Sequence, residues 1–106
     1  MTEYAAKRDP NRCPTHPGAL LADVIPATRK TKTEIADMLG ISRQQLYDIL
    51  AENKPVSPNV AVRLGKLFGN GPDLWITMQG AYDTWHAERD LAGEIRKIRR
   101  LRATAA

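Results

Sequence analysis

Apolar residues recur along this chain at helical spacing, in five stretches separated by short polar punctuation. The first is "GALLADVI", opened by Pro17, a residue suited to a first helical turn. Pro26 is expected to stop it, because an interior proline removes a hydrogen bond and clashes with the preceding turn. The polar run "PATRKT" follows. A second helix is marked by Thr31 and Glu34, whose T-x-x-E spacing is that of a capping box. Ile35, Ala36 and Leu39 then share one face, and Gly40 sits where a helix ends in a left-handed residue. Ser42 and Gln45 repeat the cap spacing and open a third helix with Leu46, Ile49 and Leu50 as its buried face. Ser57 followed by Pro58 opens a fourth, which turns Val60, Leu64, Leu67 and Phe68 inward before Gly69. Gly71, Pro72 and Asp73 open a long fifth helix carrying Trp75, Met78, Tyr82 and Trp85 at i, i+3, i+7 and i+10. Gly80 and Gly93 weaken it, and a break is expected at the second. Leu91, Ile95 and Ile98 continue a shorter apolar stripe among basic residues. No strand alternation occurs, so the predicted fold is all-α: a five-helix, repressor-like domain with a long C-terminal helix.

The second and third helices are joined by only Gly40, Ile41 and Ser42. So short a turn prevents antiparallel packing and forces a steep crossing, the arrangement of a helix-turn-helix. Ala36, four residues before Gly40, lets the next helix approach, and Ile41 plugs the turn. The outer face of the third helix is left with Arg43, Gln44, Tyr47 and Asp48 towards its N-terminal end, the positions that meet base edges in a major groove. Their chemistry suits that contact. Arginine donates two bonds to guanine, and glutamine both donates to and accepts from adenine. Tyr47 fits a thymine methyl or a phosphate; Asp48 fits a cytosine amine or serves to orient Arg43 or Gln44. Thr31 and Lys32, at the amide-rich start of the second helix, and Asn53 and Lys54, just after the third, are placed for backbone phosphates.

Charge sharpens this picture rather than supplying it. The chain carries 16 basic and 12 acidic side chains, a formal charge of +4. Residues 93–106 hold five basic groups against one acidic, while residues 15–92 hold eight against nine. The basicity is a property of the tail, so the case for nucleic acid rests on motif geometry. Three segments are expected: a flexible arm over 1–14, a DNA-binding and dimerisation domain over 15–92, and a basic tail over 93–106. No apolar run reaches the roughly 18 residues of a membrane span. The opening residues lack a signal-peptide pattern, and a single Cys13 excludes an intramolecular disulfide and suits a cytoplasmic setting. Cys13 and His16 have C-x-x-H spacing, but two ligands are too few for a metal and the other histidine, His86, belongs to a distant helix. No nucleophile set, metal cluster, glycine-rich phosphate loop or carboxylate pair suggests catalysis, and no cofactor is expected.

The chain resembles the HigA family of antitoxins, within the xenobiotic-response-element and phage-repressor class. The resemblance rests on "HPGALL" at His16 to Leu21, "EIADMLGISRQQLYDIL" at Glu34 to Leu50, and "VSPNVAVRLGKLFGNGPDLWITMQGAYD" at Val56 to Asp83. The opening His-Pro-Gly and the Trp-x-x-Met-Gln-x-x-Tyr-Asp segment are its more specific parts. It implies a dimeric repressor that binds operator DNA at its own promoter and neutralises a HigB-type toxin, a small RelE-like ribonuclease acting on messenger RNA. Arg43, Gln44 and Tyr47 match the family's base-contacting face, and Leu74 through Trp85 its dimerisation element. Thr28, Arg29 and Lys30 depart from the family pattern, which has a Leu-Gly-apolar segment there.

Some alternatives stay open at the level of sequence. Trp75, Met78, Tyr82 and Trp85 are read as a two-fold dimer interface, with the protomer's own core as the alternative. The tail suits a solvated helix end, a phosphate-binding arm or a partner-binding segment. A solitary regulator without a toxin, and an interaction module that no longer reads DNA, are the competing functions.

Overall fold

The computed structural model describes residues 11–102, and its first four helices begin where the sequence supplies a side chain to cap them. Helix α1 (Pro17–Ala27) starts at His16, whose Nδ1 accepts from the Gly18 N–H at 2.8 Å. Pro17 fills the first helical position, where its missing N–H would have had no partner. Pro26 does not stop the helix as expected: α1 runs through it to Ala27. The helix ends just beyond it, where the Thr28 and Arg29 N–H groups donate to the Ile25 and Pro26 carbonyls at 3.0 and 3.1 Å and Arg29 turns left-handed at φ 62°.

Helix α2 (Lys32–Leu39) has its capping box complete. Thr31 Oγ1 accepts from the Glu34 N–H at 3.1 Å, and Glu34 Oε1 accepts from the Thr31 N–H at 2.8 Å. The Thr31 N–H first, and then the Thr31 side chain, hold the Glu34 carboxyl below the usual carboxylate range. Gly40 ends α2 at φ 75°. Helix α3 (Arg43–Leu50) is capped by Ser42, whose Oγ accepts from the Gln45 N–H at 3.0 Å. Helix α4 (Pro58–Phe68) is capped by Ser57 through the Val60 N–H at 3.2 Å. Helix α5 (Asp73–Asp90) runs unbroken through Gly80. Its break comes at Leu91, two residues before the glycine expected to mark it, and a four-residue helix α6 (Ala92–Ile95) follows. The described residues therefore hold six helices, the five expected and one short addition, and no strand.

Helix α2 packs on α3 and α4, α1 on α3 and α5, and α4 on α5. Between them lies one core: Leu21 and Ile25, Ile35, Ala36 and Leu39, Leu46 and Ile49, Val56, Val60, Ala61 and Leu64, with Trp75. Two glycines permit the closest approaches. A methyl on Gly18 would overlap the Ile49 carbonyl at the end of α3, and one on Gly65 would overlap the Gly71 and Pro72 backbone. Gln79 is buried with both ends of its amide paired: its Oε1 accepts from the Val56 N–H at 2.7 Å and its Nε2 donates to Asp83 Oδ1 at 2.9 Å.

Trp75 requires a correction. Read as part of a dimer stripe, it is 1% exposed inside the protomer core, tilted against Phe68, with Nε1 donating to Asn70 Oδ1 at 3.3 Å. The 3.6-residue period cannot say which of two cores a face enters; burial can. The expected arm over 1–14 lies outside the described residues up to residue 10, as do residues 103–106 of the expected tail. Cys13 and Pro14 are half-buried, and Cys13 Sγ lies 3.5 Å from His86 Nε2 on α5. His86 is thus not remote from Cys13, as its place in the sequence suggested. Among the described residues no group of three or more His, Cys, Asp or Glu side chains is arranged to hold a metal ion.

Candidate nucleic-acid interface

The recognition element is built from the turn outwards. Ala36 is fully buried where α2 meets α3, and the Ile41 N–H donates back to the Ala36 carbonyl at 3.1 Å. Leu46 and Ile49 anchor the inner face of α3 in the core. Helical geometry then fixes the opposite face: Arg43, Gln44 and Tyr47 are exposed, and Asp48 is half-buried at its edge.

These side chains are organised before any ligand arrives. Gln44 Nε2 donates to Asp48 Oδ1 at 2.9 Å, one helical turn along. Asp48 Oδ2 faces Lys54 Nζ at 3.8 Å. Lys32, at the start of α2, holds its ammonium 5.7 Å from the centroid of the Tyr47 ring, a cation–π contact bridging two helices. Thr31, expected at a phosphate, is engaged in the α2 cap: its Oγ1 accepts from the Glu34 N–H and its side chain also bonds the Glu34 carboxyl.

Lys54 is brought back to Asp48 by the end of α3. The Asn53 N–H donates to the Asp48 carbonyl at 2.8 Å and the Glu52 N–H to the Ile49 carbonyl at 3.0 Å, the two bonds of a Schellman turn. The left-handed position is taken by Glu52, at φ 64°, rather than by glycine. Asn53 and Lys54 therefore stand exposed beside the outer face of α3. With His16, Gln79, Tyr82 and Asp83 they also line a shallow depression of about 190 Å³ between the α3–α4 loop and α5.

Arg63 was not singled out in the sequence. From α4 its Nη1 donates to the Leu39 carbonyl at 2.8 Å and its Nε to Asn59 Oδ1 at 2.7 Å. The guanidinium thus sits at the carbonyl end of α2, over the turn, where a cation is favoured. Helical spacing signals only the Asn59–Arg63 pair; the reach to Leu39 is tertiary.

On α5, Met78, Tyr82 and Trp85 are half-buried in the protomer. Tyr82 stands between His16 (edge-on, centroids 4.8 Å apart) and His86 (4.5 Å), and Arg89 lies over Trp85 at 3.6 Å. Leu74 and Ile76, at the start of α5, are exposed, as are Leu91, Ile95 and Ile98 beyond it. No helix among the described residues is long and apolar enough to cross a membrane.

No family model matches the chain. Over 81 residues it is 30% identical to an uncharacterized HTH-type transcriptional regulator, YbaQ, of Escherichia coli K12, covering 76% of this chain and 72% of that protein. It is also 30% identical over 86 residues to virulence-associated protein A' of Dichelobacter nodosus, covering 80% and 75%. Among solved structures, an addiction module antidote protein of the HigA family from Coxiella burnetii superposes with a TM-score of 0.77 at 28% identity, over 86% of this chain and 100% of that one. Pseudomonas aeruginosa antitoxin HigA, solved with the higBA promoter, gives 0.77 at 27% identity over 84% and 99%. Antitoxin GraA in complex with its operator gives 0.73 at 29% identity over 87% and 95%. With its helix order, its capped turn and its exposed α3 face, this chain belongs to the HigA-like family of helix-turn-helix antitoxins and transcriptional regulators.

Proposed function

We propose that this protein is the antitoxin of a type II toxin–antitoxin pair, neutralising a HigB/RelE-like messenger RNA ribonuclease and repressing its own operon as a dimer on operator DNA. The observation that carries the reading is the exposed, pre-ordered outer face of α3 in a backbone that superposes on two relatives solved with promoter or operator DNA. In this reading Arg43, Gln44 and Tyr47 enter the major groove with Asp48 at their edge. Lys32, Asn53, Lys54 and Thr31 meet phosphates on either side. A two-fold axis relates two copies, and the contact is carried by Met78, Tyr82 and Trp85, the members of the α5 stripe that the protomer leaves half-exposed. Protein and operator meet in the cytoplasm.

The E. coli relative is named as a transcriptional regulator alone, and a regulator without a toxin is the second reading. Gentle purification of the protein tagged at its native locus separates the two. A stoichiometric partner that cleaves RNA once released is the expected result. A clean homodimer that still binds upstream DNA specifically would leave the solitary regulator.

A further inference from the structure

We infer that Asp48 is a positioning residue that fixes the amide of Gln44, and so makes one position of the operator selective for adenine. The inference rests on the proposed operator reading and deepens it. A glutamine amide on an exposed helix face can rotate by half a turn, which exchanges its donor and its acceptor. Such a side chain tolerates more than one base edge. Here Gln44 Nε2 donates to Asp48 Oδ1 at 2.9 Å. An ionised carboxylate only accepts, so it holds the NH2 end and rejects the carbonyl end. The amide keeps Oε1 and one N–H for a ligand, the acceptor and donor that adenine N6 and N7 require together.

Asp48 is itself held in place. Its side chain is 20% exposed, and its second oxygen faces Lys54 Nζ at 3.8 Å. Lys54 is delivered there by the loop, since the N–H groups of Asn53 and Lys54 donate to the Asp48 carbonyl at 2.8 and 3.2 Å. The lysine offsets a negative charge that would otherwise stand beside DNA. With one oxygen on Gln44 and the other towards Lys54, Asp48 acts through its neighbour rather than on a cytosine amine.

The test uses the full chain and duplex DNA from upstream of its own gene, with each base pair of the bound site replaced in turn. Asp48→Ala is expected to lower discrimination at one A·T pair by about tenfold. The dependence of affinity on salt should not weaken, because no phosphate contact is lost and Lys54 is released from its carboxylate. Asp48→Asn should behave similarly, since a second amide can meet either end of the first. In a Gln44→Ala background, Asp48→Ala should add nothing. An Asp48→Ala protein that weakens equally on every site variant, or loses discrimination at a G·C pair, overturns the inference while the operator reading stands. A wild-type protein with no preference among the variants overturns the operator reading and the inference with it.

Discussion

His16 shows how much one side chain can tie together. The residue is 3% exposed, its Nδ1 caps α1, and its ring packs edge-to-face with Tyr82 of α5. The cap needs an unprotonated Nδ1. Burial lowers the His16 pKa, while Glu52 of the α3–α4 loop and Asp83 of α5 oppose the shift. Lys54 and His86 complete the charged and titratable surroundings of that junction. A depressed folded-state value means that the unfolded chain takes up the proton first as pH falls. The stabilisation is therefore whole above about pH 6.5, the ordinary histidine value, and is lost progressively below it until the folded form also protonates. Chemical denaturation between pH 5 and 8 should show stability falling below that point. His16→Asn, which keeps a capping acceptor that does not titrate, should flatten the fall. An equally steep fall in the variant would remove His16 as its source. The His16 cap on α1 is a local bond to an amide two residues on, the kind of feature a sequence can signal. The His16 contact with Tyr82, and Cys13 lying against His86, were not legible, because no periodicity relates residues some 70 positions apart.

Among the elements, the helix starts were readable and the helix ends less so. Thr31, Ser42 and Ser57 all cap as their spacing indicates, since an N-cap is a local bond between a side chain and an amide a few residues on. Ends follow a backbone preference that glycine satisfies best, and Gly40 and Gly69 mark two of them. At α1 and α3 the left-handed position falls to Arg29 and Glu52, residue types that carry no such signal. The turn between α2 and α3 also depends on a third element. Arg63 of α4 donates to the Leu39 carbonyl, and its Nη1 lies 2.8 Å from where a Cβ on Gly40 would be placed. Gly40 thus serves twice, by its positive φ and by leaving room for the guanidinium. Arg63→Ala should destabilise the fold by about 1 kcal/mol, the size of one charge-assisted hydrogen bond at a partly exposed site. It should also weaken operator binding without altering which bases are preferred, because the whole of α3 loses its brace. Urea unfolding and binding to base-substituted operators check both halves; a changed base preference would give Arg63 a different role.

Across the whole molecule, charge divides between a nearly neutral body that carries the proposed reading face and a basic segment beyond α5. Arg96, Arg99, Arg100 and Arg102 follow the last helix on exposed chain, and Lys97 pairs with Glu94 at 3.3 Å. The net charge therefore says little about α3, and an overall fold match by itself says little about which bases are read. The two-fold arrangement proposed above would place the recognition helices of two copies about 34 Å apart, one turn of the DNA helix. Within each copy the proposed reading surface reduces to Arg43, Gln44 and Tyr47, with Arg43 the side chain able to make two bonds to guanine. The most direct test is the affinity of the full chain for DNA upstream of its own gene against unrelated DNA, with wild type and Arg43→Ala side by side. Arg43→Ala should lose about tenfold or more on the upstream site. On unrelated DNA it should bind nearly as wild type does. Equal affinities for the two DNAs in the wild type, or an Arg43→Ala protein that keeps full preference for the upstream site, would contradict reading by this helix.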